Sequence, residues 1–154
     1  MNQGKTSSDF MIYLDTNIMI YSIENHPKYG KACAKILFDI ENQKLQASSS
    51  MLVLIETINV IQKLNKILKG EEKQLNIRDN IDAILSLPIT WLDINFPVIR
   101  RAAEYDYKIS GVDYIHIATM EINSIKKIIS ADDELDKVDL IKRIDPLKYA
   151  PGLD

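Results

Sequence analysis

The chain has 154 residues, 46% of them hydrophobic and 27% charged, with a formal net charge of −3. This suits one domain with a real core, and the mild acidity gives no global pull toward nucleic acid or anionic membrane, although acids gathered at one site leave room for a basic surface elsewhere. No apolar run approaches the ~20 residues that span a bilayer, no secretory pattern opens the chain, and the single cysteine, Cys33, excludes an internal disulfide and fits a reducing cytoplasm.

Met1 to Phe10 is polar and small, and reads as a disordered leader or tag remnant before a single domain over residues 11–150. Met11 to Leu14 is an unbroken apolar run, the pattern of a strand buried on both faces. Asp15, Thr16 and Asn17 stop it, and these residue types cap helices. A short helix is expected over Ile18–Glu24, broken by Asn25-His26-Pro27. A second follows over Lys28–Asn42, with Ala32, Ile36, Leu37 and Ile40 as its apolar stripe. Lys44 to Ala47 reads as a short strand, with Ser48-Ser49-Ser50 as a cap. Met51 to Leu68 is the longest helix, apolar almost all round in its first part, which predicts burial on most sides.

Lys69-Gly70-Glu71-Glu72 is a polar turn. Leu75 to Ser86 is helical, Leu87-Pro88 ends that helix, and Ile89 to Leu92 is a strand. Asn95 to Lys108 is helical, with Pro97 in its first turn. After Ser110-Gly111-Val112-Asp113 comes a helix over Tyr114–Ile122, then a strand over Lys127–Ser130, and a last strand over Leu140–Ile144. Strands alternate with helices and no tight hairpin signal occurs. The expected fold is three-layer α/β/α around a central, mostly parallel sheet of four or five strands.

Asp15 and Asp132 each follow an apolar strand. If those strands are parallel neighbours, both carboxylates lie at the carboxyl edge of the sheet, where open α/β sheets bind ligands. Asp113 opens a helix, where its charge suits the positive end of the dipole. Glu56 lies within an apolar helix with no basic residue inside one turn, so its partner comes from elsewhere in the fold. Taken singly, Asp15 and Asp113 are adequately read as caps, and Asp132 as part of a solvated acidic loop with Asp133, Glu134, Asp136 and Asp139. Taken together, four carboxylates near one point suit Mg²⁺ or Mn²⁺, which prefer hard oxygen ligands.

The order of these motifs resembles the PIN-domain nucleases, in particular the small VapC-like toxin ribonucleases of type II toxin–antitoxin systems. Leu14-Asp15-Thr16-Asn17-Ile18 is similar to the family's first motif, and Glu56 to its helical glutamate. Asp113-Tyr114-Ile115-His116-Ile117-Ala118 is similar to the third, and Ser130-Ala131-Asp132 to the fourth. Where the family often has another Asp two residues after the fourth acid, this chain has Glu134, with Asp133 between. That leaves open which of these acids joins Asp132.

The resemblance implies a cytoplasmic, metal-dependent endoribonuclease. Asp15, Glu56, Asp113 and Asp132 would hold one or two Mg²⁺ or Mn²⁺ ions, and an activated water would hydrolyse RNA to leave a 3′-hydroxyl and a 5′-phosphate. Thr16 or Ser130 would orient the water or a carboxylate, and Asn17 would cap the helix. It implies a cognate antitoxin protein, a homodimer and no membrane association. Two other readings differ in kind: a PIN-like RNA-processing or scaffold protein without a toxin role, and a metal-dependent phosphatase.

Other residues carry less. His116, one turn after Asp113, reads better as a hydrogen-bonded structural residue than as a phosphate ligand. Cys33 has no neighbouring base and reads as buried and inert. The rows Lys28, Lys31, Lys35 and Lys63, Lys66, Lys69 read first as solvated faces and second as RNA contacts. No Gly-x-Ser-x-Gly elbow or Gly-rich phosphate loop occurs.

Overall fold

A computed structural model describes residues 4, 10–68 and 74–150. The expected leader, apart from Gly4 and Phe10, and the polar turn at Lys69-Gly70-Glu71-Glu72 lie outside the described residues. Five strands form: β1 (Ile12–Leu14), β2 (Ala47–Ser50), β3 (Ile89–Leu92), β4 (Lys127–Ile129) and β5 (Lys142–Ile144). All pair in parallel, in the order β3-β2-β1-β4-β5. The helices are α1 (Thr16–Ile23), α2 (Gly30–Glu41), α3 (Met51–Ile67), α4 (Ile77–Leu85), α5 (Phe96–Ala102) and α6 (Gly111–Ile122).

The centre of the sheet explains the layering. Successive strand residues point to opposite faces, and Tyr13 and Leu14 are both fully buried. Leu14 packs with Ile18, Met19, Ile36, Ile40 and Val53 on one side. Tyr13 packs with Ile117, Met120, Ile128 and Leu135 on the other. A three-layer α/β/α sandwich follows. From β1 the chain builds outward through β2 and β3, then returns to place β4 on the other side of β1. That reversal is a topological switch point between β1 and β4, the usual ligand crevice of such sheets.

Several boundaries differ from expectation. The second strand runs over Ala47–Ser50, not Lys44–Ala47, and all four of its residues are buried. Its serines replace apolar side chains because their hydroxyls find partners on β1. Ser49 donates to the Leu14 carbonyl at 3.0 Å, Ser48 to the Ile12 carbonyl at 3.4 Å, and Ser50 accepts from the Tyr13 hydroxyl at 2.8 Å. Ser50 still sits at the N-cap of α3, with no side-chain capping bond. The first part of α3 is not buried on most sides: Val53, Leu54 and Thr57 face inward, while Met51 and Ile55 are 46% and 54% exposed.

The fifth helix ends at Ala102, not near Lys108. Beyond it Tyr105, Tyr107 and Tyr114 gather, with ring centroids 5.6 to 6.5 Å apart. Arg101 braces this turn through a bidentate contact with Glu121 at 2.8 and 2.9 Å. The sixth helix starts at Gly111, capped by the Ser110 hydroxyl, so Asp113 falls inside its first turn.

The link between α1 and α2 is tight. Asn25 adopts a left-handed φ of 51°, and Gly30 is buried against it. A Cβ on Gly30 would sit 2.8 Å from the Asn25 carbonyl carbon and 3.1 Å from its Cα. Backbone cannot yield as a flexible side chain does. Gly30→Ala is therefore expected to destabilise the protein by about 1–3 kcal/mol, read as a lower urea midpoint with an unchanged m-value.

Candidate functional site

Asp15 ends β1 and is the N-cap of α1. The residue is 7% exposed, so each of its carboxylate oxygens needs donors. Oδ1 accepts from the Thr16 backbone N–H at 2.7 Å. Oδ2 accepts from the Ser130 hydroxyl at 2.6 Å and the Asn17 amide at 3.2 Å. Ser130 follows β4 directly, so this contact crosses the switch point. Asn17 does not cap the helix as expected, because Asp15 already does. Its amide instead reaches the Ser130 hydroxyl at 3.0 Å, while its carbonyl accepts from the Ala131 N–H at 3.2 Å. The chain ends of β1 and β4 are thereby tied together.

Glu56 lies in the second turn of α3, with its side chain 30% exposed. Two donors converge on Oε1: the Thr16 hydroxyl at 2.8 Å and His116 Nε2 at 2.7 Å. No described residue bonds Oε2. His116 is buried, and its other ring nitrogen lies 2.6 Å from the Tyr13 hydroxyl. Burial alone would raise the Glu56 carboxyl, but the bonds from His116 and Thr16 outweigh it and hold the group below its ordinary range. Burial likewise works against a charged His116. The bond to Glu56 and the charges of Asp15, Glu56 and Asp113 overcome this and raise the imidazole. The missing partner of Glu56 is thus His116, 60 residues away in sequence. The structural reading of this histidine holds, and its one-turn spacing from Asp113 was the available sign that both serve one place.

Asp113 has no hydrogen-bond donor among the described residues. Burial first, then the charges of Asp15, Asp132 and Glu56, push its carboxyl up to about 6, with His116 partly opposing. Asp113 therefore feels the charges of the other three acids named from sequence. Asp132 uses Oδ1 to accept from the Glu134 N–H at 3.0 Å. The acids after it turn elsewhere: Glu134 pairs with Lys137, and Asp136 holds Arg143 at 2.9 and 3.0 Å. Among the described residues no three His, Cys, Asp or Glu side chains stand close enough to hold one ion in common. Cys33 is buried in the core, its thiol pushed up to about 12 by burial. Of the lysine rows, Lys35 is paired with buried Asp39, and Lys69 lies outside the described residues.

An open parallel sheet with the buried carboxylate of Asp15 at its switch point defines an α/β protein of the three-layer class. The chain belongs to the PIN-domain family, whose model matches residues 12–141. Among solved structures, it is similar to VapBC2 from Rickettsia felis bound to a promoter DNA fragment, with a TM-score of 0.62 and 16% identity over 87% of this chain and 97% of that one. It is similar to Mycobacterium tuberculosis VapC20, described as a sarcin-ricin loop cleaving toxin, with a TM-score of 0.62 and 18% identity over 81% and 92% of the two chains. VapBC-1 from nontypeable Haemophilus influenzae gives 0.60 and 18% identity over 90% and 99%. At such identities the likeness is one of fold. A comparison with curated protein sequences finds no match. No helix among the described residues is long and apolar enough to cross a membrane.

The raised Asp113 carboxyl has a stability consequence. A carboxyl whose folded pKa lies above its unfolded value costs stability as pH rises through the window between them, here from about 4 to about 6. In excess chelator, Asp113→Asn is expected to stabilise the protein at pH 7.5 by on the order of 1 kcal/mol. The gain should vanish below about pH 4. Urea unfolding at the two pH values measures it.

Proposed function

We propose that the chain is a divalent-metal-dependent endoribonuclease acting as the toxin of a toxin–antitoxin pair. The observation that carries this reading is geometric: at the switch point of a PIN fold, donors from α1 and from the end of β4 hold Asp15, and Thr16 and His116 hold one oxygen of Glu56. The acids stand on or beside separate elements of a PIN fold: Asp15 and Asp132 follow the adjacent strands β1 and β4, and Glu56 is tied to Thr16, the residue after Asp15. The donor set fits Mg²⁺ or Mn²⁺ in its chemistry. It consists of carboxylates, with oxygens of Glu56, Asp113 and Asp132 that no described residue bonds, and it contains no sulfur.

Asp15, Glu56, Asp113 and Asp132 would hold the ion. When bound, such an ion lowers the pKa of water and neutralises phosphate oxygens for in-line displacement. The chain's own residues prepare for this. Ser130 and Asn17 fix one oxygen of Asp15, and the Thr16 backbone fixes the other. The Thr16 hydroxyl orients Glu56. With three donors on it, Asp15 is built to present a ligand, not to act as the free nucleophile of an aspartyl-phosphate phosphatase.

The toxin role rests on the relatives of this fold, which include VapBC pairs and the VapC20 toxin. A cytoplasmic location and an antitoxin partner go with it. Exposed apolar side chains on α3 and α5, Met51, Ile55, Phe96 and Ile99, supply surface that an antitoxin or a second copy in a homodimer would cover.

With Mn²⁺ present, the chain is expected to cut single-stranded RNA and to leave p-nitrophenyl phosphate intact. Asp15→Asn should slow RNA cleavage at least ~100-fold, since it removes one anionic ligand from the ion. Cleavage by the variant at the parent rate would sink the mechanism, and turnover of the phosphomonoester alone would favour a phosphatase. Saturating Mn²⁺ should also raise the melting temperature, with chelator reversing the shift. Induced expression should arrest bacterial growth, and Asp15→Asn should not.

A further inference from the structure

His116 makes two contacts that a histidine buried only for packing does not need in this combination. Its side chain is 3% exposed. Nε2 meets Glu56 Oε1 at 2.7 Å, and Nδ1 meets the Tyr13 hydroxyl at 2.6 Å. Tyr13 in turn reaches the Ser50 hydroxyl at 2.8 Å. The ring is therefore held from behind by the central strand and by the junction of β2 and α3. Its front nitrogen is aimed at one oxygen of one site carboxylate. Because a carboxylate only accepts, Nε2 carries the hydrogen in this contact.

We propose that His116 is a positioning residue: anchored by Tyr13 and Ser50, it fixes Glu56 Oε1 and leaves Oε2, which no described residue bonds, available to the divalent cation of the proposed nuclease. This rests on the nuclease reading above and extends it to residues outside the carboxylate set. The logic is that of an outer ligand shell, in which a buried donor orients a ligating oxygen and its loss costs ~10- to 100-fold in metal affinity or activity. Thr16 donates to the same Oε1 at 2.8 Å. It lies on the α1 side, so removing His116 leaves Glu56 held from one side only. Asp15 Oδ1 is 3.9 Å from Nε2, beyond hydrogen-bond reach, and so Glu56 is the group the ring directs.

The test titrates Mn²⁺ alone into the full chain by calorimetry and, separately, measures kcat and KM for a single-stranded RNA. In His116→Phe, which keeps the ring volume and loses both nitrogens, Mn²⁺ affinity and kcat should each fall at least ~10-fold with KM for RNA little changed. His116→Gln, whose amide can still donate to Glu56, should recover much of the loss. Tyr13→Phe should move both readouts in the same direction by less, since it removes only the anchor. If His116→Phe does not fold, His116→Gln against Tyr13→Phe decides, and equal, parental Mn²⁺ affinity in both would overturn the proposal. Parental affinity and kcat in a folded His116→Phe would overturn it as well. A parent chain that neither binds Mn²⁺ nor cuts RNA would overturn the nuclease reading and this role with it.

Discussion

A buried carboxylate at the point where the sheet reverses direction is the constraint on which the rest of the site depends. Burying the Asp15 charge costs several kcal/mol unless donors replace the lost water. The donors come from three places: the first backbone N–H of α1, the Asn17 amide one step further, and the Ser130 hydroxyl across the switch point. Satisfying one charge therefore fixes the ends of β1 and β4 and the start of α1 relative to each other. Arg143 extends the brace by donating to the Ser130 carbonyl at 3.0 Å while Asp136 holds its other side.

The second tie joins helices that lie in different parts of the fold. Glu56 arrives on α3 and His116 on α6, and their contact brings the two helices together over the edge of the sheet. Residues three apart on a helix share a face, so fixing His116 also fixes where Asp113 projects. Tyr13 belongs to the same arrangement. Burial pushes its phenol well above its ordinary range, so it stays a neutral partner to both His116 and Ser50. Asp113 is the exception in this network. It receives no hydrogen bond from the described residues, and burial first, then the charges of its neighbours, push its carboxyl upward.

The fold was legible where periodicity spoke for itself. The apolar runs at Ile12–Leu14 and Ile89–Leu92 became strands, and the alternation of strands and helices became a five-stranded parallel sheet. The serine strand was not legible. Ser48, Ser49 and Ser50 look like a cap because their fitness for a buried strand depends on carbonyls and a phenol of β1, partners distant in sequence. The end of α5 was obscured for a similar reason, since the tyrosines beyond it settle against α6 and not along a continuing helix. At the site, the four acids stood out because each breaks an apolar context. What their spacing did not carry was the wiring: Asn17 as a tie between strand ends and His116 as the partner of Glu56 both need the sheet order first.

The charge balance of the whole chain then takes a more specific meaning. A site of four repelling acids is a poor place for a polyanion, and the net charge of −3 offers no compensation. Several of the cations are already committed to local pairs: Lys35 to Asp39, Arg101 to Glu121, Arg143 to Asp136. Lys28, set over the Tyr29 ring at 5.0 Å, and its neighbour Lys31 remain exposed on the approach to and first turn of α2. In the proposed nuclease, attraction for a phosphodiester would come from the site more than from the surface at large, and a cation held by the acids would supply it where the bond is cut. On that proposal, the same acids that repel the substrate without an ion would recruit the charge that attracts it. The ties at Asp15 and Glu56 matter because they hold these two carboxylates in fixed orientations, three donors on the first and two on one oxygen of the second.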